Sequence, residues 1–203
     1  MTDTDEKSLL VLDDLSVQRG EFILCQGLNF NLKPGDICHL IGENGLGKTT
    51  LFNQIAGLLP TQTGLIKKSP LVYISHQLGI SADLTVYQNL AFLLSLYDVD
   101  YHQDILDKAL DDVGLWGLGG TPSSQLSAGQ TRRIGLARLF VITPEHAPLW
   151  LLDEPLTALD KNMTAQIEDR MQAFAKLGGA ILTTSHQAIQ GTTMTINLAD
   201  FAL

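Results

Sequence analysis

The sequence predicts an α/β fold, with a mixed-sheet core, an antiparallel β edge and a small helical subdomain. Three observations point there. Apolar runs of strand length lie near both ends of the chain, a leucine-rich stretch of helical periodicity lies between them, and a glycine-rich loop joins one apolar run to a helix. The expected division is a core at about residues 1–84 and 141–203 and a helical subdomain at about 85–140, within one domain of 1–203.

Residues 9–17 and 22–32 cluster apolar residues around Gly20 and read as two paired strands. Lys33-Pro34-Gly35-Asp36 is a turn signal. Residues 37–41 form a short apolar run ending at Gly42, as a buried strand does. Residues 48–56 then turn helical and stop at Gly57, and residues 71–74 read as another buried strand. Across 86–113 the residues Leu90, Leu93, Leu94, Leu106, Ala109, Leu110 and Val113 stand at helical spacing. Gly114, Gly117, Gly119, Gly120 and Pro122 break that pattern, and it resumes from Ala128 to about Val141. A strand at 149–152, a helix at 161–175, a strand at 180–183 and a last one at 194–198 complete the chain.

Composition narrows the class. A chain of 203 residues, 45% hydrophobic and 17% charged, buries a proper core. A net charge of −9 argues against a protein that works by neutralising nucleic-acid phosphates. The acidic, polar start Met1-Thr2-Asp3-Thr4-Asp5-Glu6-Lys7 has no secretory pattern, and no apolar run is long enough to span a bilayer. Cys25 and Cys38 lack metal-ligand spacing and read as reduced, buried thiols in a cytoplasmic setting.

Gly42-Glu43-Asn44-Gly45-Leu46-Gly47-Lys48-Thr49 fits the phosphate-loop pattern G-x-x-x-x-G-K-[ST], between a strand and a helix as that pattern requires. Glycines there let successive N–H groups face the phosphates of ATP, and the helix N-terminus adds its dipole. Lys48 neutralises β- and γ-phosphate charge, Thr49 offers its hydroxyl to Mg²⁺, and Thr50 joins the cradle. Asp153 ends the apolar run 149–152, so its carboxylate emerges at a strand's carboxyl end, where Mg²⁺ is approached through water. Glu154 points differently and can address an attacking water, although two acids before Pro155 would also suit an ordinary strand ending.

With these pieces in place the chain resembles the ATP-binding cassette (ABC) ATPases, motif by motif across roughly residues 9–198. That resemblance implies a RecA-like core with a helical subdomain. It implies that Gln77 senses Mg²⁺ or water, and that Leu126-Ser127-Ala128-Gly129-Gln130 is a signature meeting the γ-phosphate held by a second copy. It assigns Asp160 to the D-loop, among the nucleotide-binding residues, and His186 to the γ-phosphate. Taken alone, Gln77 also reads as a surface loop residue and His186 as a structural histidine. Ala128 departs from the usual glycine but keeps its N–H. Arg19 stands where many relatives place an aromatic residue; it stacks on adenine or is a solvated edge residue.

Within that family, Tyr73-Ile74-Ser75-His76-Gln77, Leu84–Leu90, the signature with Ala128, and Gln187 after His186 resemble the cytochrome c maturation branch. The resemblance implies a peripheral subunit on the cytoplasmic face of the membrane. Its partners would be a second copy of itself and integral membrane subunits, and its role haem export or release of a haem-loaded chaperone. An ABC ATPase serving another cargo is the alternative. A P-loop kinase needs neither Ser127–Gln130 nor His186, and the stretch between Gly42 and Leu126 is too short for a DNA-repair coiled coil.

Overall fold

The computed structural model describes residues 8–76 and 78–203. Its strands are β1 (Leu10–Arg19), β2 (Phe22–Leu32), β3 (Ile37–Ile41), β4 (Leu65–Lys68), β5 (Leu71–Ile74), β6 (Leu149–Leu152), β7 (Ala180–Thr183) and β8 (Met194–Asn197). The helices are α1 (Lys48–Ala56), α2 (Val86–Ser95), α3 (Gln103–Asp112), α4 (Ala128–Ala137) and α5 (Lys161–Lys176). Among the described residues no helix is long and apolar enough to cross a membrane.

β1 and β2 pair antiparallel and turn at Gly20-Glu21, where Gly20 takes a φ of 64°. A two-residue turn with positive φ matches the strands' right-handed twist, and glycine adopts it without strain. Along β1 the buried apolar residues switch from even positions (Leu10, Leu12) to odd ones (Leu15, Val17). The register slips between Leu12 and Leu15, at Asp14 with its φ of 48°, so this bulge keeps one face of the strand inward. β4 pairs with the other side of β1. It was absent from the expected elements, because its residues are mostly exposed and show no apolar alternation.

The remaining five strands form a parallel sheet in the order β5-β6-β7-β3-β8, and the antiparallel strands hydrogen-bond in a sheet of their own. Strand β6 shows how the layers stack. Leu149 and Leu151 join a cluster with β1, β2 and α1, whereas Trp150 and Leu152 join one with α2 to α5. Trp150 stacks on Phe174 of α5 with ring centroids 3.7 Å apart. Truncating either ring to alanine costs about 3–5 kcal/mol.

The helical stretch expected at 86–113 is two helices, because Leu96–Asp98 form a turn in which Asp98 takes a left-handed φ of 51°. A capping box between Thr85 and Gln88 starts α2. The buried Asn89 amide fixes the approach to α2, accepting from Ser81 N at 2.8 Å and donating to Ser81 O at 2.9 Å. Helix α4 ends at Ala137 and tightens into a 3₁₀ turn at Arg138–Phe140, short of the expected Val141.

Candidate functional site

Parallel registry decides what meets at the sheet's carboxyl edge. Ile74 pairs with Leu152, Leu152 with Thr183, and Thr183 with His39, so the residues that follow leave the sheet side by side. Asp153 and Thr184 are two of them, and the loop after β3 is the third component. This crevice beyond strand ends is where open α/β sheets bind ligands.

The loop from Gly42 to Gly47 depends on its glycines. Gly42, Gly45 and Gly47 take φ of 152°, 88° and 102°, and a β-carbon on Gly47 would sit 2.9 Å from Leu24 and 3.0 Å from Val17. Lys48 Nζ donates to the carbonyls of Gly42 (2.6 Å) and Glu43 (3.0 Å), spanning the loop. Behind the loop the Cys25 thiol donates to Leu46 O at 3.4 Å. Cys25 and Cys38 are both buried and free. Burial pushes the Cys38 thiol up to about 12, with Asp36 adding to the shift, so it stays protonated and inert.

Asp153 is buried, and both carboxylate oxygens accept hydroxyl hydrogen bonds. Thr49 donates to one at 2.9 Å and Thr184 to the other at 2.8 Å. Thr184 also accepts from the backbone N–H of Glu154 at 2.9 Å. Glu154 takes a left-handed φ of 52°, which turns its side chain away from that of Asp153. Its carboxylate meets His186 Nε2 at 3.1 Å and accepts from the Thr157 hydroxyl at 3.1 Å. The His39 ring donates from Nε2 to Ser185 O at 3.1 Å, holding the loop that presents His186.

Two adjoining clefts result. One, of about 320 Å³, is lined by Asn44, Gly45, Gly47, Lys48, Thr49, Thr50, Asp153 and Glu154, together with Arg19, Leu24 and His76. The other, of about 300 Å³, has Gly42, Lys48, Glu154, Thr184 and His186 in its wall. Arg19, exposed at the end of β1, lines the cleft of the glycine loop. The donor set of Thr49 and Asp153, hard oxygens with an ammonium nearby, suits Mg²⁺ held between a phosphate and the protein.

Ser127, Ala128, Gly129 and Gln130 line neither cleft. They open α4, where Ser127 Oγ accepts from Gln130 N at 3.2 Å and the Gln130 side chain accepts from Ser127 N at 3.0 Å. Ser127 and Ala128 are exposed. Asp160 caps α5, accepting from Met163 N at 2.9 Å, and binds Arg133 of α4 at 2.9 Å. That backbone donor, then Arg133, holds the Asp160 carboxyl below the usual carboxylate range. Gln77 lies outside the described residues. The sequence assigns no role to the Thr184 hydroxyl, the His39 ring or Arg132, whose Nη2 donates to Glu154 O. Each acts through a bond distant in sequence, for which no local pattern exists.

Residues 25–157 match the family described as "ABC transporter". A relative from Mannheimia succiniciproducens named "Cytochrome c biogenesis ATP-binding export protein CcmA" is 38% identical, covering 95% of this chain and 94% of its own. The protein of the same name from Haemophilus influenzae is 36% identical, over 97% and 98%. Among solved structures, the ATP-binding subunit of an ABC transporter superposes with a TM-score of 0.77 at 23% identity, over 88% of this chain and 80% of that one. A dimeric ATP-binding cassette in a post-hydrolysis state with ADP and phosphate gives 0.75 at 20% identity, over 88% of each. At these identities the structures speak for the fold.

Proposed function

The chain belongs to the ABC transporter family of ATP-binding proteins, and from that premise we propose that it is the ATP-hydrolysing subunit of a complex for cytochrome c biogenesis. The observation that carries the catalytic part is the split of the expected site residues. Lys48, Thr49, Asp153, Glu154 and His186 share adjoining clefts, while Ser127–Gln130 stand apart at a helix N-terminus, with Ser127 and Ala128 exposed. Two copies placed head to tail bring each Ser127 to the other's cleft and complete two sites.

In each site the amides of Gly45 to Thr49 donate to the phosphates of ATP, and Lys48 turns its ammonium from the loop carbonyls toward them. Arg19 covers the base, its guanidinium plane stacking where relatives use an aromatic ring. Thr49 and Asp153, with Gln77, would hold Mg²⁺, which when bound neutralises phosphate charge. Both oxygens of Asp153 accept from the Thr49 and Thr184 hydroxyls, which fixes the carboxylate beside that position. Glu154 accepts a proton from the water that attacks the γ-phosphorus, the bond to the β–γ bridging oxygen breaks and ADP leaves, and His186 orients the Glu154 carboxylate before meeting the γ-phosphate. Ser127 and the amides that follow supply donors from the second copy, and Asp160 lies beside them. Closure of the dimer moves the helical segment 85–140 against the core and so works on integral membrane partners at the cytoplasmic face.

The close resemblance to relatives named for cytochrome c biogenesis supports the cargo assignment. Glu154→Gln should bind ATP yet accumulate as a nucleotide-bound dimer on size exclusion; hydrolysis at the parent rate would remove Glu154 as the base. Affinity purification from membranes should bring down haem-handling partners, and recovery of an unrelated permease instead would reassign the cargo.

A further inference from the structure

Arg132 lies just over one turn beyond Ser127 on α4, and its Nη2 donates to the backbone carbonyl of Glu154. The next residue, Arg133, reaches Asp160 Oδ2 at 2.9 Å. Two adjacent side chains of one helix thus grip both ends of the segment from Glu154 to Asp160. That segment holds Glu154 at a φ of 52° and Ala158 at 60°, a left-handed region that residues with a β-carbon keep only when their surroundings impose it. Arg132 Nε is buried without a hydrogen-bond partner. Burial works against the charge of this guanidinium, and the nearby Glu154 and Asp153 carboxylates favour it. It is a costly position for an arginine, and the hydrogen bond it makes there goes to the backbone of the proposed base.

We infer that Arg132 is a positioning residue for ATP hydrolysis: by bonding the Glu154 carbonyl it holds the strained backbone that aims the Glu154 carboxylate, and it ties that aim to the helix beginning at Ser127. The inference rests on Glu154 as the water-activating base. It also has a directional consequence. Ser127 serves the site of the other copy, whereas Arg132 serves the site of its own, so α4 links the two sites of a dimer through one rigid element.

The test uses the purified full-length chain. Arg132→Met keeps the apolar stem and removes the donor, while Arg132→Lys retains a donor able to reach the carbonyl. Steady-state hydrolysis should show kcat for Arg132→Met lowered by about tenfold or more with KM for ATP within about twofold, because aim and not binding is lost. Arg132→Lys should recover part of kcat, and unchanged thermal midpoints verify that all variants are folded. A kcat for Arg132→Met within about twofold of the parent, or a loss confined to KM, overturns the inference. Glu154→Gln assayed alongside separates the two readings. Parent-like turnover in that variant removes the base, whereas its loss beside an unaffected Arg132→Met removes only the positioning role.

Discussion

Thr184→Val tests whether the carboxyl edge is organised by a hydroxyl or merely filled by a side chain of that shape. Valine matches threonine in size, so no cavity forms, and the change isolates two hydrogen bonds. One donates to the buried Asp153 carboxylate at 2.8 Å, and the other accepts from Glu154 N at 2.9 Å. A bond to a charged group contributes about 1.5–3 kcal/mol, and leaving a backbone N–H without its acceptor costs about 1 kcal/mol or more. The expected destabilisation is therefore about 3 kcal/mol, or about 6–12 °C in Tm for a domain of this size. Thr184→Ser keeps the hydroxyl and deletes one methyl, for about 1 kcal/mol. Urea unfolding of both variants at equal m-values reads the difference directly. Valine as stable as serine would refute the reasoning, since the hydroxyl would then contribute nothing at this buried edge.

Gly47→Ala should prevent ATP binding more than it harms folding, because the added β-carbon meets Leu24 and Val17 and the φ of 102° is strained for alanine; isothermal titration with ATP checks it, and parent affinity would contradict the loop geometry. Asp160 has its folded pKa depressed, first by Met163 N–H and then by Arg133, so its contribution is present above the ordinary carboxylate range and lost as pH falls through the lowered value. Thermal midpoints of the parent should therefore drop more steeply on acidification than those of Asp160→Asn, and equal slopes would count against the coupling. Mixing Lys48→Ala with Ser127→Arg should restore hydrolysis that neither variant shows alone, since one composite site in the mixed dimer is intact. No restoration by the mixture would argue against sites shared between copies.

Much of this architecture was legible because the informative patterns are local. The glycine loop with Lys48, the apolar run ending at Asp153 and the small-residue opening at Ser127–Gln130 each announce themselves within a few residues. What stayed hidden was set by partners far along the chain. Leu65–Lys68 pairs as an edge strand with β1 while exposing most of its surface, so burial left no trace in its sequence. Tyr97 and Asp98 interrupt a helix whose leucine spacing gives no warning, because the left-handed turn there answers the need to fold α3 back onto α2. Thr184 matters through its bonds to Asp153 and Glu154, and Arg132 through its bond to Glu154, and a threonine or an arginine carries no spacing rule that would have marked it.

Strand β6 sends Leu149 and Leu151 to one side and Trp150 and Leu152 to the other, and that alternation has a bearing on how such a chain diversifies. The phosphate loop and α1 rest on one side, and the helices from α2 to α5 rest on the other. Core substitutions on the two sides that share no packing partner should be nearly additive. Descendants can therefore rebuild the helical side to suit a new membrane partner while the phosphate-holding side is inherited intact. At the carboxyl edge the two sides meet: Asp153 accepts from Thr49 of α1, and the Glu154 carbonyl accepts from Arg132 of α4.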